Sequence, residues 1–291
     1  MKLKIFSALF FAILLFSAIP ARASLNLQQA PLSRQIEILQ QEIRVLEDLI
    51  SNFDTGQKIN ADAYIVVDLS NNSVILEKNP AKSYPIASVT KLMNAVVAVE
   101  NIPMSQKITL TDQMLTPFGS SPCIFARLQI SAENLLKSAL TQSVNDAAQA
   151  LSYFVGNEKF IKLMNQKAKE LGMQNTVYYD ATGLNPSNQS TAVDLAKLIA
   201  YVNQNHPELL GITKDNDFWL PDSEGNFLKF SNENNFYYLS EFVGGKTGYL
   251  PEAKQTMASV FKVNGKSYAI TVLHSGNRIA DIFNILRQLK N

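Results

Sequence analysis

The pattern of hydrophobic and polar positions divides the chain into strand-rich ends and a mostly helical middle. Near both ends, short segments alternate β-branched or apolar side chains with polar ones, a period typical of strands. Asn71-Asn72 predicts a turn between the first two segments, and Asn264-Gly265 predicts a hairpin between the last two. The clearest predicted strands are residues 61–69, 73–78, 241–246, 254–263 and 266–274, with strand character returning from about Phe227.

Helical signals fill the region between these strands and close the chain. The predicted helices run from about residue 87 to about 100, from a cap at Ser131, over 157–172, from a Thr191 and Asp194 capping-box pair, and over 278–289. We therefore expect an α/β (α+β) fold: one antiparallel sheet built from both ends of the domain and flanked by helices. A helical subdomain at about residues 105–225 is expected to be inserted between the two strand-rich ends. The whole domain is expected to cover residues 57–291.

Residues 1–23 have the pattern of a secretory signal peptide. Lys2 and Lys4 precede an apolar run at residues 5–19, and Ala21-Arg22-Ala23 is a small-x-small cleavage site. The run is shorter than the roughly 20 residues that a membrane-spanning helix needs. We expect an exported, extracytoplasmic protein, periplasmic or secreted. An uncleaved membrane anchor is the alternative.

Residues 24–56 are predicted to form a separate amphipathic heptad helix. Its apolar seam is Leu32, Ile36, Leu39, Ile43, Leu46 and Ile50. One interpretation is a short parallel coiled coil through residues 32–50 that makes the protein a homodimer. The other is a helix that packs on its own domain, because fewer than three heptads make an isolated coil marginal.

Composition and charge exclude several classes of function. The net charge is +1, and without residues 1–23 the chain has 23 basic and 25 acidic residues, so no field attracts nucleic acid. Cys123 is the only cysteine and can form no internal disulfide. His206 and His274 are the only histidines, and no metal-binding motif contains them. We expect neither a metal nor another cofactor.

Ser88-Val89-Thr90-Lys91 places a serine and a lysine three residues apart on a predicted helix, where both side chains share one face. A serine hydroxyl becomes a good nucleophile only when a base takes its proton. For Lys91 to be that base near neutral pH, its pKa must fall by about three units, or about 4 kcal/mol. Burial and a second cation nearby lower a lysine pKa. Lys246 is the expected second cation.

Two further motifs follow in order, Ser143-Val144-Asn145 and Lys246-Thr247-Gly248. The first lies in the helical region and offers a polar relay. The second places a cation and a hydroxyl on a strand, and Gly248 leaves room for an extended substrate beside it. The set predicts an acyl-transfer enzyme acting on a peptide that ends in a free carboxylate.

Rival interpretations of these motifs fail on their context. A second S-x-x-K, Ser259 to Lys262, falls in a predicted strand, where the two side chains point to opposite faces. Gly245-Lys246-Thr247 matches the end of a phosphate-binding loop. Ser240 nevertheless stands where that loop needs glycine, and no helix follows.

Over about residues 60–290 the chain resembles the low-molecular-weight penicillin-binding proteins of the serine D-alanyl-D-alanine carboxypeptidase family. The matching stretches are residues 86–93, 143–147, 182–184, 190–192 with Asp194, and 244–249. The resemblance implies a penicillin-binding, β-lactamase-like fold and hydrolysis of peptidoglycan stem peptides through an acyl-enzyme. It also implies that β-lactams acylate the same serine.

The resemblance assigns roles to individual residues. Ser88 is implied to attack the carbonyl between two D-alanines with Lys91 as base, while Ser143 passes a proton to the leaving amine. Asn145 is implied to bind the substrate amide. Lys246 and Thr247 are implied to hold the terminal carboxylate, helped by Arg278, on the strand that continues through Gly248. The backbone N–H groups of Ser88 and Tyr249 are implied to form the oxyanion hole.

Alternatives remain open at this point. Val144 departs from the small or polar residue usual between the serine and asparagine, which narrows the site. Lys254-Gln255 departs from the usual glycine and aromatic residue. The sequence ends after its last predicted helix without the β-rich C-terminal domain of the commonest carboxypeptidases, which makes a D,D-endopeptidase that cuts cross-links an alternative. A catalytically weak wall-binding scaffold is another. No glutamate-bearing loop supports a β-lactamase.

Overall fold

Residues 58–116, 121, 123–221 and 225–290 are described by the computed structural model of the chain. The predicted signal peptide and heptad helix lie outside these residues, and so does the predicted homodimer contact at residues 32–50. These three expectations therefore stay predictions. None of the helices in the described ranges is both long enough and apolar enough to span a membrane.

A five-stranded antiparallel sheet is the centre of the domain. Its strands are β1 (Ala63–Asp68), β2 (Ser73–Lys78), β9 (Phe242–Leu250), β10 (Lys254–Val263) and β11 (Lys266–Ser275). They lie in the order β2-β1-β11-β10-β9. The first hairpin of the domain joins its last hairpin through β1 and β11, with Ala63 opposite Leu273. The predicted sheet built from both ends is confirmed.

The predicted turn residues have the backbone conformations that tight turns need. Asn264 and Gly265 between β10 and β11 have φ values of 50° and 80°, and Asn72 between β1 and β2 has φ 59°. Asparagine and glycine tolerate this left-handed region better than other residues. These turns fix the register of the two hairpins that frame the sheet.

Helices cover both faces of the sheet. They are α1 (Thr90–Asn101), α2 (Ala132–Thr141), α3 (Asn145–Val155), α4 (Asn157–Glu170), α5 (Ala192–Asn205), α6 (Pro207–Lys214) and α7 (Arg278–Lys290). A large apolar cluster lies between one face of the sheet and α1 to α6, and a smaller one joins the other face to α7. Because both faces are covered, the central stretches of β10 and β11 are buried continuously rather than alternately.

Short paired strands and two single-turn 3₁₀ helices complete the described fold. The strand pairs are β3 (Tyr84–Pro85) with β6 (Gln189–Ser190), β4 (Lys107–Thr109) with β5 (Gln129–Ser131), and β7 (Asp217–Pro221) with β8 (Phe227–Ser231). The 3₁₀ helices are Ala87–Val89 and Asp112–Met114. The region expected to be mostly helical therefore also contains short two-stranded sheets.

Both predicted helix caps are present, with one difference. The Ser131 hydroxyl accepts from the Asn134 N–H, and the Thr191 hydroxyl accepts from the Asp194 N–H. The Asp194 carboxylate does not accept a hydrogen bond from the Thr191 N–H, as it would in a capping box. It accepts instead from the Asn175 N–H, because that loop lies against the start of α5.

Candidate active site

Ser88 and Lys91 face one another at the start of α1. Ser88 lies in the Ala87–Val89 turn, and Lys91 follows in the first turn of α1. The Lys91 Nζ lies 3.0 Å from the Ser88 Oγ. Ala87 has a φ of 48°, a left-handed conformation that costs a non-glycine residue about 1–2 kcal/mol. The fold therefore holds strained backbone directly before the serine.

Lys91 is fully buried and has two further partners. Its Nζ donates to the Asn145 Oδ1 at 2.7 Å and to the Thr182 carbonyl at 2.8 Å. Burial first, and then the charge of Lys246, hold the pKa of Lys91 well below its ordinary value. Asp180 and Glu233 act in the opposite direction, each by less than these two causes. The two causes expected from the sequence are therefore both present.

The segment of Ser143 and Asn145 lies across a cavity from Ser88. Asn145 begins α3, and Ser143 precedes it with a φ of 61°. The Ser143 side chain lines the same cavity as Ser88 and Asn145, but among the described residues it forms no hydrogen bond with Lys91. Val144 is buried between them. The structure thus brings the serine to the cavity wall, and the asparagine into contact with the lysine.

Strand β9 carries Lys246, Thr247 and Gly248 beside the Ser88 turn. Lys246 and Thr247 are both buried, and the Lys246 Nζ donates to the Thr247 carbonyl at 3.0 Å. A β-carbon built on Gly248 would lie 2.9 Å from the Ser88 backbone nitrogen. Tyr249 follows with an exposed side chain. The predicted strand lysine therefore lies on the strand that abuts the serine turn.

Arg278 joins this group from the first residue of α7. Its Nη1 donates to the Gly248 carbonyl at 3.0 Å, while its buried Nε has no partner in the described part of the chain. Burial lowers the pKa of Arg278 to about 10, and burial together with Arg278 lowers the pKa of Lys246 to about 8. Glu233 raises both pKa values. Three buried or largely buried basic side chains, Lys91, Lys246 and Arg278, thus lie close enough to influence one another.

An open cavity of about 480 Å³ brings the predicted serines together. Its wall is polar on most sides, with Val144, Leu228 and Cys123 as the apolar patches. The lining residues are Ser88, Ser121, Cys123, Gln142, Ser143, Val144, Asn145, Leu228, Lys229 and Glu233. Lys246, Thr247 and Arg278 are not on this wall. Lys246 and Thr247 lie on β9, and Arg278 contacts the same strand at the Gly248 carbonyl.

Several residues that position the site were missed by the sequence analysis. The Asn94 side chain on α1 donates to the Ala148 and Ala181 carbonyls, which ties α1 to α3 and to the loop before Thr182. The Asp180 carboxylate accepts from the Thr182 and Gly183 N–H groups and so holds the Thr182 carbonyl toward Lys91. None of these residues forms a recognisable spacing motif.

Glu233 is the other missed residue. It lies between two asparagines in Ser231-Asn232-Glu233-Asn234, just before β9, and it lines the cavity. The repeated asparagines were the available signal, because asparagine side chains commonly fold back onto nearby backbone.

The residues to which the sequence analysis gave no catalytic role are held in contacts that stabilise the fold or are buried. Ser259 is buried in β10 and donates to the Ile270 carbonyl, while Lys262 is exposed, so the second S-x-x-K cannot act as a pair. His274 pairs with Asp62, and His206 lies 3.3 Å from both Glu100 and Glu208. Cys123 is a buried free cysteine.

The antiparallel sheet with helices on both faces, the helix-borne serine and lysine, and the adjacent strand lysine define a serine-type acyl-transfer enzyme of the penicillin-binding protein class. The family model described as D-alanyl-D-alanine carboxypeptidase matches residues 51–277. The chain belongs to this family of serine-type D-alanyl-D-alanine peptidases.

Individual relatives agree with this assignment. The chain is 34% identical to the D-alanyl-D-alanine endopeptidase of Escherichia coli (strain K12) over 224 residues, 74% of this chain and 72% of that protein. It is 29% identical to the D-alanyl-D-alanine carboxypeptidase DacF of Bacillus subtilis (strain 168), over 72% of this chain and 56% of that protein. The crystal structure of penicillin-binding protein D2 from Listeria monocytogenes, in its cefotaxime-bound form, superposes with a TM-score of 0.69 at 28% identity, over 80% of this chain and 98% of that one.

Proposed function

We propose that this protein hydrolyses the peptide bond between two D-alanines at the end of a peptidoglycan stem peptide, with Ser88 as nucleophile and Lys91 as its base. The observation that carries the proposal is the fully buried Lys91 amine at 3.0 Å from the Ser88 hydroxyl. The serine oxygen attacks the carbonyl, the terminal D-alanine leaves as an amine, and water then releases the acyl group.

The hydrogen-bond partners of Lys91 can accommodate the uncharged form that a base needs, in which Ser88 donates to the Nζ instead of accepting from it. An uncharged amine has two N–H donors and one lone pair, whereas the ammonium has three donors and no acceptor. Two acceptors, the Asn145 Oδ1 and the Thr182 carbonyl, match the two donors. The lone pair is then left for the proton of Ser88. A lowered pKa favours the same form.

Lys246, Thr247 and Arg278 are proposed to receive the substrate carboxylate. A carboxylate accepts best from charged and hydroxyl donors in a site shielded from water. Lys246 and Thr247 are buried on β9, and the Arg278 side chain already bonds to the Gly248 carbonyl. An extended peptide lying along β9 passes Gly248, where no side chain obstructs it. Its carbonyl then meets Ser88.

Asn145 and the two backbone donors complete the proposed assignment. The Asn145 Oδ1 is occupied by Lys91, so the side-chain amide N–H₂ of Asn145 is the group that donates to a substrate carbonyl. The N–H groups of Ser88 and Tyr249 are proposed to stabilise the oxyanion, a contribution of about 3 kcal/mol per donor. Ser143 is proposed to return a proton to the leaving amine from the cavity wall.

Acylation by a labelled penicillin, followed by intact-mass measurement, tests the proposal. We expect one adduct per chain in the wild type and none in Ser88→Ala. Ser259→Ala is the matched control, because Ser259 belongs to the second S-x-x-K but lies buried in β10. An adduct that persists in Ser88→Ala, or a wild-type chain that forms none, contradicts the proposal.

A D,D-endopeptidase that cuts peptide cross-links is the second candidate. It is favoured by the 34% identity to a protein named D-alanyl-D-alanine endopeptidase. Both activities use the same acylation step and differ in the leaving amine. Release of D-alanine from a pentapeptide, compared with cleavage of a purified cross-linked dimer, separates them. A ratio of rates above ten in either direction assigns the activity.

The location and oligomeric state are proposed from the sequence. The pattern of residues 1–23 supports an exported protein, since peptidoglycan lies outside the cytoplasm. The apolar heptad positions within residues 32–50 support a homodimer through a short coiled coil. Deletion of residues 24–56 is expected to halve the solution mass by light scattering without loss of penicillin acylation. A monomeric mature chain contradicts the dimer.

A further inference from the structure

Two buried asparagines hold Glu233 in a fixed place beside β9. The Asn232 side chain donates to the Thr213 and Asp215 carbonyls at 2.8 Å. The Asn234 side chain donates to the Gly245 carbonyl at 3.2 Å, directly before Lys246. The Thr213 hydroxyl accepts from the Gly245 N–H, which closes the network. The backbone of Glu233 is thus fastened to the residue that precedes the strand lysine.

The Glu233 side chain itself is exposed on the cavity wall. It forms no ion pair or side-chain hydrogen bond with another described residue. Lys229, which lies on the same wall, has Asp217 at 3.7 Å. The Glu233 carboxylate is the only acidic group among the described residues that line the cavity.

Several charged groups face this region from the elements around it. Lys91 comes from α1, Lys246 from β9 and Arg278 from α7, and Asp180 lies in the loop that contacts Lys91. Basic groups close together in a dry site disfavour each other's charged forms, so that one of them loses its proton more readily. Glu233 is the acidic residue that acts on all three of them.

We propose that Glu233 is the counter-charge of the carboxylate-binding site, a positioning residue that favours the charged form of Lys246. This inference rests on the proposed function. Without Glu233, the strand lysine loses its proton at a lower pH and binds the terminal carboxylate less well. Because Glu233 does not touch the reacting atoms in this arrangement, its removal changes the pH range of the reaction more than its maximal rate.

Removal of Glu233 is expected to move both sides of the pH profile in the same direction. The acidic side reports Lys91, which must be neutral, and the alkaline side reports Lys246, which must be charged. Glu233 raises the pKa of both lysines, so Glu233→Gln lowers both.

The experiment first measures the wild type with a D-Ala-D-Ala pentapeptide and with penicillin. If neither D-alanine nor an adduct forms, the proposed function is wrong and Glu233 is not at issue. If the wild type is active, kcat and KM are measured from pH 5.5 to 9.5 for Glu233→Gln, Glu233→Asp and Glu158→Gln. Glu158 is exposed on α4, away from the cavity lining, and is the matched control.

We expect Glu233→Gln to shift both sides of the kcat/KM profile to lower pH and to raise KM at pH 8 by about threefold, with kcat at pH 7 changed less than twofold. Glu233→Asp restores part of the shift, and Glu158→Gln follows the wild type. A profile that falls at every pH without moving overturns the inference. So does a loss confined to peptides with a free side-chain ammonium, since Glu233 would then bind the substrate directly.

Discussion

Gly248 lies directly against Ser88. A β-carbon on Gly248 would come within 2.9 Å of the Ser88 nitrogen and the Ile86 carbonyl, and within 2.6 Å of the Thr256 hydroxyl. Contacts this short are not tolerated without displacement of backbone. The strand that carries the lysine therefore fixes the distance to the serine turn through the absence of a side chain.

Gly248→Ala is expected to push β9 away from the serine turn and to slow penicillin acylation by at least tenfold, because small misplacements at a reacting centre are costly. Stopped-flow acylation and thermal unfolding are the measurements. Gly211→Ala in α6 is the control, since no atom lies within 4 Å of the β-carbon there. It is expected to acylate normally and to gain about 0.5–1 kcal/mol of stability. Equal acylation rates in both variants would contradict the packing argument.

Two variants of Ser143 separate the catalytic role of its hydroxyl from the effect of its left-handed backbone conformation on stability. Its φ of 61° favours glycine, so Ser143→Gly is expected to be about 1 kcal/mol more stable than Ser143→Ala. Both variants lose the hydroxyl. If that hydroxyl returns the proton to the leaving amine, both lose peptide turnover by about 100-fold. Chemical denaturation and D-alanine release measure the two effects, and full activity in either variant removes the proposed role.

Lys246 is expected to reduce the stability of the folded state at neutral pH. Its pKa is about 8 in the fold against an ordinary 10.5, so the unfolded chain binds the proton more tightly. The fold is not destabilised above pH 10.5, where Lys246 is neutral in both the folded and the unfolded chain. The destabilisation grows as the pH falls from 10.5 to about 8 and is then complete. Lys246→Met is therefore expected to raise the free energy of unfolding at pH 7 by up to about 3 kcal/mol and to weaken turnover of carboxylate-ended peptides. Urea unfolding at pH 7 and pH 10 checks this. A stability gain that is the same at both pH values would contradict the charge argument.

The same pKa predicts the alkaline side of the wild-type activity profile. Above about pH 8 Lys246 loses its charge, so KM for a peptide ending in a carboxylate is expected to rise. The acidic side lies lower, because the pKa of Lys91 is held well below its ordinary value. Steady-state kinetics with a D-Ala-D-Ala peptide measure both sides. A KM that stays constant up to pH 10 would rule out Lys246 as the carboxylate-binding cation.

Asn94 connects the serine helix to two other segments, and its loss is expected to loosen all three. Asn94→Ala leaves the Ala148 and Ala181 carbonyls without their donor in a buried place, at a cost of about 2–3 kcal/mol. Asn101→Ala is the matched control, because Asn101 lies on the same helix, is exposed and bonds only within its own turn. Its expected cost is under about 0.5 kcal/mol. Urea unfolding curves distinguish the two, and similar midpoints would contradict the assigned role of Asn94.

The sheet was predictable because its determinants are local. Residues 73–78 and 254–263 were predicted with the bounds that the structure has, and the hairpin at Asn264-Gly265 followed from two residues alone. The three motifs were predictable for the same reason, since each occupies consecutive positions. The second S-x-x-K at Ser259 was set aside because it falls in a predicted strand, where the serine and lysine side chains point to opposite faces.

The residues that escaped prediction act at long range. Asn94 bonds to residues 54 and 87 positions away, and the Thr182 carbonyl meets Lys91 across 91 positions. Neither pairing leaves a pattern in the local sequence. The hairpin of β7 and β8 was predicted only in part, because Asp217–Pro221 mixes an aspartate and a proline into a short apolar run.

The pairing of Ala63 with Leu273 has a consequence for synthesis. A ribosome that has passed the codons for Ser88, Lys91 and Asn145 has still not produced the strand that lies beside β1. A nascent or prematurely terminated chain therefore has its reactive groups unassembled, and contacts this distant along the chain form slowly. Hydrolytic competence is therefore delayed until almost the entire domain has emerged.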